Sequence, residues 1–530
     1  MTFDDLRNRT DPLASPKAIW IIVGLVAVIQ IAGISAKWWP SPDSALYLGL
    51  ARSIAAGDGY LFNGQANTTV TPGLPGLLAG LRILFGESFY AANGLIALSG
   101  LVMLTMVWRI SVDRVGRTIA PAVLLVVALS YPVYHAGHMV LTDVPFAACA
   151  WLCVWACLRL LKTARRRWLI VVAAACVAGV LIRAPGVLLL GALSLGVLVH
   201  RAGLLRWPAR LAVAATIVLS SAAVLGAMLL LARSQAAGET PLYVAHSQQQ
   251  LAGLGKVASN IAIGLGELPR SVSRLYSGQE FPPIGVALIA LWLWGSWRAV
   301  RSGQTVLAIT SLLYALALVL VGGEIGARSR YLLQVWPMMA MLIALGAVDV
   351  VSRVGRARGK RLTPRGLATV AVVTLGIGIA INAPRTLRNA LYYGPLSHTD
   401  HYYKVIRDGD HRDLLATADL LKNHRREGTT ILASGDDVSM LHFLTDRRIR
   451  SLPTGDAWVS RALSARDATL YAELAASIPG ELLVVVDLSE GDRTFREAWR
   501  RHLEATPGLR ELRTVGQYSI AHRSANASTP

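Results

Sequence analysis

Eleven runs of apolar residues determine what this chain can fold into. A helix needs about 20 apolar residues to cross the hydrocarbon core of a bilayer, and fewer when neighbours bury its ends. More than half of the 530 residues are hydrophobic (54%) and only 16% are charged, which excludes an ordinary soluble protein. We therefore predict an α-helical polytopic membrane protein with about eleven transmembrane helices. The predicted spans are 19–36, 91–107, 119–134, 144–161, 169–182, 186–199, 211–232, 284–296, 306–321, 331–348 and 367–380.

The distribution of charge gives the orientation of these spans. Residues 1–383 contain 32 Lys and Arg against 13 Asp and Glu, whereas residues 384–530 contain 20 and 19. The net charge of +20 therefore belongs to the membrane part and indicates membrane topology, so we predict no nucleic-acid partner. The basic segments "RLLKTARRR" and "HRAGLLRWPAR" both look cytoplasmic. An even number of crossings must separate them, which favours two spans on either side of "RAPG" at 183–186.

Basic residues concentrate in the cytoplasmic loops of membrane proteins. This rule places the N-terminus on the cytoplasmic side and the large loops on the outer side. The predicted domains are a cytoplasmic N-terminus (1–17), a membrane domain (18–397) with its first extracytoplasmic loop (37–90), an extracytoplasmic domain (398–522) and a disordered tail (523–530). Strand-like runs such as "LLVVVD" alternate with helical stretches after residue 398, which predicts a small α/β domain. The four cysteines fall in apolar segments, and we interpret them as packing residues.

An acidic residue heads the helix that follows the first span. Ser41 and Pro42 predict a helix start, and Gly57 or Gly59 predicts its end. Asp43 lies in the first turn of this helix. The apolar face of the helix predicts that it lies along the membrane surface. The simple alternative is that Asp43 only complements the positive end of the helix dipole.

A second acidic residue lies on the same predicted side of the membrane. Asp143 heads the fourth span, and the simple alternative is again a helix cap, formed with Thr142 and Pro145. Acidic residues at membrane depth are costly, so they mark functional sites by default. Two of them on one face, in otherwise uncharged surroundings, favour a functional site over two caps.

These features together resemble the GT-C membrane glycosyltransferases. The similar subgroup contains protein O-mannosyltransferases, aminoarabinose transferases and lipopolysaccharide-core galacturonosyltransferases. The resemblance rests on the order of the motifs along the chain and on the side of the membrane where each is predicted to lie. The C-terminal region matches only as a general soluble appendage. The matching residues are Asp43, Tyr47, "TPGLPG" (71–76), Asp143, "IRAPG" (182–186) and "ARSRYLLQVWP" (327–337).

The resemblance implies a polyprenyl-phosphate sugar donor and a hydroxyl acceptor on a glycan, lipid or protein. Asp43 is then the base for the acceptor oxygen, with Tyr47 beside it as a substrate-binding residue. The leaving phosphate needs positive charge, which Arg328 and Arg330 would supply, with Tyr331 beside them. The alternative for these three residues is an interfacial anchor.

Three further residues have less definite roles. Lys256 and Arg183 are additional phosphate-binding candidates, although snorkelling anchors explain them equally well. Asp143, the second predicted catalytic residue, either orients the acceptor or the donor sugar or shares a divalent metal with Asp43. Because no D-x-D motif accompanies the two aspartates, we assign no cofactor, and a divalent metal stays open.

The expected function is inverting transfer of a single sugar at the extracytoplasmic face of a bacterial inner membrane. Two other classes stay open, a transporter or flippase of a lipid-linked saccharide and a non-catalytic envelope-assembly scaffold. A transporter would bury ionisable groups near the midplane of broken helices. Nearly all acidic residues here lie at predicted span ends or in loops, which favours chemistry at the membrane surface.

Overall fold

The computed structural model forms two compact units. The membrane unit comprises Met1–Lys37 and Thr68–Leu396, and the C-terminal unit comprises Trp38–Asn67 and Ser397–Pro530. The first half of the predicted first loop therefore groups with the C-terminal residues. The structure describes residues 7–8, 15–67, 70–201, 204–235, 254–321, 329–360, 362–393, 411–424, 429–434, 437–451, 465–478, 481–489, 493–505 and 509–524.

Helices make up most of the described chain. In chain order they are α1 (Pro16–Ala32), α2 (Pro42–Ala56), α3 (Gly73–Phe85), α4 (Phe89–Val115), α5 (Ala120–Ala128), α6 (Tyr131–Ala136), α7 (Asp143–Thr163), α8 (Arg167–Ile182), α9 (Val187–Leu198), α10 (Trp207–Gln235), α11 (Leu254–Ser277), α12 (Pro282–Arg301), α13 (Thr305–Val321), α14 (Ser329–Leu332), α15 (Trp336–Ala357), α16 (Pro364–Arg388), α17 (Arg412–Asn423), α18 (Asp437–Thr445), α19 (Ala465–Ser477) and α20 (Arg493–Ala505).

Six helices among the described residues are long and apolar enough to cross a membrane: α4, α7, α10, α12, α15 and α16. Each matches a predicted span, and the chain is a multi-pass membrane protein. Four more predicted spans correspond to the shorter apolar helices α1, α8, α9 and α13. The predicted break at "RAPG" is confirmed as a 3-10 turn, Ala184–Gly186, between α8 and α9.

The remaining predicted span, 119–134, is not one helix, so that prediction was wrong. It divides into α5 and α6, with Leu129 and Ser130 between them. Pro132 stands in the first turn of α6 and has no N–H to continue the ladder from α5. The Ser130 hydroxyl instead donates to the carbonyl oxygen of Leu275 at 2.6 Å, so the break is tied to α11.

The helix α11 lies in a stretch that the sequence predicted only as an outer loop. It packs against α12 and α13 of the membrane unit. Its apolar residues share one face of the helix. Charged residues stand between them in the sequence and prevent a long continuous apolar run: Lys256, Glu267, Arg270 and Arg274. A search for continuous apolar runs misses such a helix, because only its helical periodicity reveals the apolar face.

The helices α7 and α15 form the core of the membrane unit. Both are largely buried, and α7 packs against α4 and α8 while α15 packs against α12 and α16. The indole N–H of Trp151, on α7, donates to the carbonyl oxygen of Gln334, just before α15, at 2.8 Å. The sulfurs of Cys153 and Cys176 lie 3.6 Å apart as thiols between α7 and α8.

The strands of the C-terminal unit are β1 (Leu61–Phe62), β2 (Gln65–Ala66), β3 (Thr430–Ala433), β4 (Ile449–Ser451), β5 (Leu482–Asp487), β6 (Leu509–Val515) and β7 (Tyr518–Arg523). The last five form a mixed sheet at the centre of the unit. Its order is β4-β3-β5-β7-β6, with β3 parallel to β4 and β5, and β7 antiparallel to β5 and β6. The strand β5 is buried along its whole length. Its Val484 and Val486 pack in one core with Tyr471 of α19 and with Phe495 and Trp499 of α20.

The first-loop helix α2 packs against α18 within this unit. Arg52 on α2 forms an ion pair with Asp446 at 3.1 Å, and its guanidinium carbon lies 4.8 Å from the ring centre of Phe443. In the turn between β1 and β2, the side-chain oxygen of Asn63 accepts from the Ile449 N–H at 2.8 Å. The loop segment and the C-terminal residues therefore share one packed interior.

Two glycines allow the close approach of α12 and α15. A Cβ atom at Gly295 would overlap the carbonyl oxygen of Leu342, so Gly295→Ala would force the two helices apart. We expect a loss of about 1–3 kcal/mol, the usual cost of overpacking. A lower melting temperature in detergent would report it. Gly191→Ala is the matched control, because its new Cβ would meet no atom within 4 Å. Equal melting temperatures for the two variants would contradict this packing.

The half-buried His442 on α18 makes the C-terminal unit sensitive to pH. Its Nδ1 donates to the Arg447 carbonyl at 2.6 Å, and its Nε2 accepts from the Asn63 N–H at 3.1 Å, which requires the neutral ring. Burial lowers the pKa of His442, while the nearby Asp446 opposes the shift and Arg52 adds to it.

Because the pKa is lower in the folded state, the stabilising contribution of His442 is present above its ordinary value of about 6.5 and is lost as the pH falls below it. We expect the melting temperature of the wild type to fall more between pH 7.5 and pH 5 than that of His442→Gln. All other histidines are shared, so the difference reports His442 alone. Parallel curves would show that this ring does not titrate differently on unfolding.

Candidate functional site

Four residues predicted from the sequence meet at one end of the membrane core. Asp143 is the first residue of α7, Arg183 immediately follows α8, and Arg330 and Tyr331 lie on the short helix α14. These four residues, which we call the Asp143 cluster, come from three separate parts of the chain. The cluster lies entirely within the membrane unit.

Two arginines hold the carboxylate of Asp143. The Nε of Arg330 donates to Oδ2 at 2.8 Å, and Nη1 of Arg183 lies 3.4 Å from Oδ1. The guanidinium of Arg183 also lies over the Tyr331 ring, 5.1 Å from its centre. The charge pair with Asp143 positions both guanidinium groups, and the aromatic face of Tyr331 holds that of Arg183 in addition.

The burial of the cluster decides its electrostatics. The side chain of Asp143 is fully buried, that of Arg183 is 9% exposed and that of Arg330 is 36% exposed. Two guanidinium groups face one carboxylate, so the cluster carries a formal charge of +1. In buried surroundings charges interact more strongly than in water. The side chain of Arg330 is partly exposed, so an anion can contact the cluster there.

The side-chain contacts of Thr142 and Asp143 do not fit the alternative in which the two residues only cap α7. Thr142 occupies the N-cap position of α7, but its side chain makes no capping hydrogen bond. Its hydroxyl instead accepts from Nη1 of Arg183 at 2.7 Å. Both residues therefore hold an arginine at the start of α7.

Glycines in the predicted motifs allow the backbone to approach closely around the cluster. A Cβ at Gly186 would overlap the ring of Phe146, on the first turn of α7. A Cβ at Gly73, in "TPGLPG", would press on the carbonyl of Leu181. The "TPGLPG" and "IRAPG" motifs thus pack the start of α3 and the turn after α8 around Arg183.

Two buried polar residues beside the cluster were not predicted. The hydroxyl of Tyr314, on α13, donates to Oε1 of Gln334 at 3.0 Å. The backbone of Gln334 in turn accepts from Trp151, two turns along α7 from Asp143. These bonds join α7, α13 and the chain before α15. The lone Tyr314 in an apolar run gave no signal in the sequence, whereas Gln334 lies in the quoted motif at 327–337 but was not assigned a role.

The first predicted catalytic residue, Asp43, lies in the C-terminal unit. It is half-buried in the first turn of α2, and Tyr47, one turn further, is buried. The predicted start and end of this helix are confirmed: the Ser41 side chain accepts from the Ser44 N–H, and Gly57 ends the helix with φ of 85°. Ser41 provides the side-chain cap, and Asp43 lies in the first turn, where a carboxylate also complements the positive end of the helix dipole.

The two remaining predicted residues lie elsewhere. Lys256 is exposed at the start of α11. Arg328 is outside the described residues. The structure thus groups Arg183, Arg330, Tyr331 and Asp143 in the membrane unit, and Asp43 with Tyr47 in the C-terminal unit.

The Asp143 cluster is a poor place for a divalent metal. Both carboxylate oxygens of Asp143 face guanidinium groups, at 2.8 and 3.4 Å. A metal ion there would add two positive charges beside two existing ones, and no second carboxylate of the cluster would compensate them. The donor set favours an anion.

Residues 69–226 match the family model described as dolichyl-phosphate-mannose-protein mannosyltransferase. No curated protein matches the chain in sequence. The fold is similar to that of ArnT from Cupriavidus metallidurans bound to undecaprenyl phosphate, with a TM-score of 0.60 and 15% identity over 98% of this chain and 100% of that one. The apo ArnT structure gives a TM-score of 0.57 with 15% identity, covering 97% and 100%.

The oligosaccharyltransferase of Archaeoglobus fulgidus in the apo form is also similar. The TM-score is 0.56 with 11% identity, over 91% of this chain and 72% of that one. The family match and these folds confirm the resemblance to the GT-C glycosyltransferases that the motifs predicted.

Removal of the Asp143 carboxylate would leave two arginines with an uncompensated charge in a buried place. We expect Asp143→Ala to lower the unfolding free energy by about 3–5 kcal/mol. Thermal unfolding in detergent measures the effect as a lower melting temperature.

Asp113→Ala provides the control, because Asp113 pairs with Arg159 at 3.8 Å while both side chains are about one-third exposed. Such a pair contributes less than about 1 kcal/mol. A melting temperature for Asp143→Ala as high as that of Asp113→Ala would mean that the Asp143 cluster is not a structural ion pair.

Proposed function

We infer that this protein is a glycosyltransferase that moves one sugar from a polyprenyl-phosphate-linked donor to an acceptor hydroxyl. The acceptor belongs to an envelope glycan, a lipid or a protein. The reaction takes place at the extracytoplasmic face of a bacterial inner membrane, where the C-terminal unit also lies. The acceptor oxygen attacks opposite the leaving phosphate, so a single displacement inverts the anomeric centre.

The observation that carries this proposal is the pair of guanidinium groups on the buried Asp143. Departure of a polyprenyl phosphate leaves negative charge on the phosphate oxygens, and fixed arginines stabilise it without having to reorganise. Arg330 has an exposed side from which it can contact a phosphate, while Arg183 adds charge from behind. The similar ArnT structure contains undecaprenyl phosphate, a ligand of the same chemistry.

In this proposal Asp143 is a positioning residue. Its two oxygens are directed at Arg330 and Arg183, so it is poorly placed to take a proton from an acceptor. Tyr331 supports Arg183 through its ring face. Arg328, in the same motif, and Lys256 remain further candidates for the phosphate on the sequence alone.

The base for the acceptor oxygen is assigned to Asp43, with Tyr47 as a substrate-binding neighbour. Support comes from the resemblance and from the position of Asp43, whose half-buried carboxylate lies in the first turn of α2, one turn before Tyr47. A phosphate leaving group needs no general acid, so one carboxylate and the arginines are enough. The proposal requires no metal.

Transfer of label tests the role of Asp43. Purified protein in liposomes is offered a panel of radiolabelled polyprenyl-phosphate sugars, with a membrane extract as acceptor. We expect Asp43→Asn to lower the transfer rate by about 10²–10⁴-fold, the usual contribution of a general base. Asp58→Asn is the control, since Asp58 is exposed just beyond the end of the same helix. Equal activity of the two variants would remove Asp43 from the mechanism.

The same assay tests the phosphate site. Arg330→Lys keeps the charge but loses the fixed fork of donors, so we expect weaker donor binding and slower transfer. Arg82→Lys is the control, because Arg82 pairs only with the partly exposed Glu87 at 3.1 Å in the described contacts. Movement of donors between leaflets without any transfer by the wild type would instead favour a flippase.

A further inference from the structure

Three metal-ligating side chains meet in the C-terminal unit, outside the proposed transfer site. The Nε2 atoms of His424 and His522 both face Oε1 of Glu481, at 3.2 and 2.9 Å. All three ligand atoms lie within 4.8 Å of one another, and no other such group occurs in the part of the chain that the structure describes. We call these residues the His-Glu-His triad.

The triad is built where the end of α17, the start of β5 and the strand β7 meet. Glu481 immediately precedes β5, and its carbonyl oxygen accepts from the Thr430 N–H at 3.0 Å. His522 lies on the neighbouring strand β7. His424 follows the last residue of α17, and its carbonyl accepts from the guanidinium of Arg447 at 2.8 Å. Three elements of the fold therefore hold the three ligands in place.

The three side chains differ in exposure, so one side of the triad faces the protein interior and the other faces solvent. The Glu481 side chain is 7% exposed, whereas His424 and His522 are 22% and 21% exposed. The two imidazole rings stand nearly edge to face, with centres 5.0 Å apart. Because both rings turn their Nε2 atoms towards one buried oxygen, an ion can enter between the rings from the solvent side.

We propose that the His-Glu-His triad binds one zinc ion or a similar divalent transition metal. Two imidazoles and a carboxylate form the donor set of zinc sites that keep an open fourth position. Zinc–ligand bonds of about 2.0–2.2 Å place tetrahedral ligand atoms about 3.3 Å apart. The two separations to Glu481, 3.2 and 2.9 Å, are close to this value, and all three ligand atoms lie within 4.8 Å of one another.

Binding requires a simple change at the rings. Each imidazole coordinates through Nε2 as the neutral tautomer with its proton on Nδ1, and the carboxylate of Glu481 coordinates through Oε1. No redox partner is needed, because zinc does not change its oxidation state. The fourth position takes water or an anionic oxygen of a ligand. The site therefore provides a place for a carboxylate or phosphate group on the C-terminal unit.

Equilibrium dialysis of the full-length protein in detergent, with Zn²⁺ as the probe, tests the proposal. The protein is purified without a histidine tag, stripped with a chelator and dialysed against buffered Zn²⁺, and bound metal is counted by mass spectrometry. We expect about one equivalent in the wild type, and at least a tenfold weaker affinity in His424→Gln, His522→Gln and Glu481→Gln. Added Zn²⁺ should also raise the melting temperature of the wild type but not that of the three triad variants.

His502→Gln is the matched control. His502 lies half-buried on α20 in the same unit and faces Thr469, outside the triad. This variant should keep the full equivalent. Circular dichroism and gel filtration confirm that each variant is folded. Absence of bound zinc in the wild type, or unchanged binding in the three triad variants, would mean that the two histidines only hydrogen-bond to Glu481. Neither result depends on sugar transfer, so the two proposals fail separately.

Discussion

A carboxylate held by two arginines organises the membrane unit. Asp143 is completely buried at the start of α7, and a lone charge there would cost several kcal/mol in desolvation. Arg330 and Arg183 offset this cost only if α14 and the turn after α8 both reach the start of α7. One charge interaction thus requires three distant segments to converge. In the proposed mechanism the same interaction keeps two guanidinium groups in position for a phosphate.

Small residues make that convergence sterically possible. Gly186 lets the turn after α8 approach Phe146, and Gly73 lets the start of α3 approach Leu181. Elsewhere Gly295 and Gly346 bring α12 and α15 into backbone contact. In a membrane, where burial of apolar side chains contributes little to helix association, such close packing supplies much of the attraction between helices. The Pro/Gly motifs therefore support the site by packing around its arginine.

Much of the fold follows from local patterns. The strand "LLVVVD" matches β5 because its residues before Asp487 are all apolar, and α2 begins after Ser41 and ends at Gly57 as their cap chemistry requires. The β6 strand gave no such signal, since most of its side chains are exposed and polar. The break between α5 and α6 was missed because Pro132 is compatible with both a kinked helix and two helices. Only the bond from Ser130 to α11 shows which one forms.

By itself, the sequence determined the membrane class and most of the helices, because hydrophobic length, charge bias and capping act over short stretches of chain. It also identified Asp143, Arg183 and Arg330 as separate candidates. Only the tertiary structure decided that these three form one ion-paired cluster, and that His424, Glu481 and His522 meet on the sheet. Their separations along the chain are long, and packing of the whole fold sets which distant side chains come within a few ångströms.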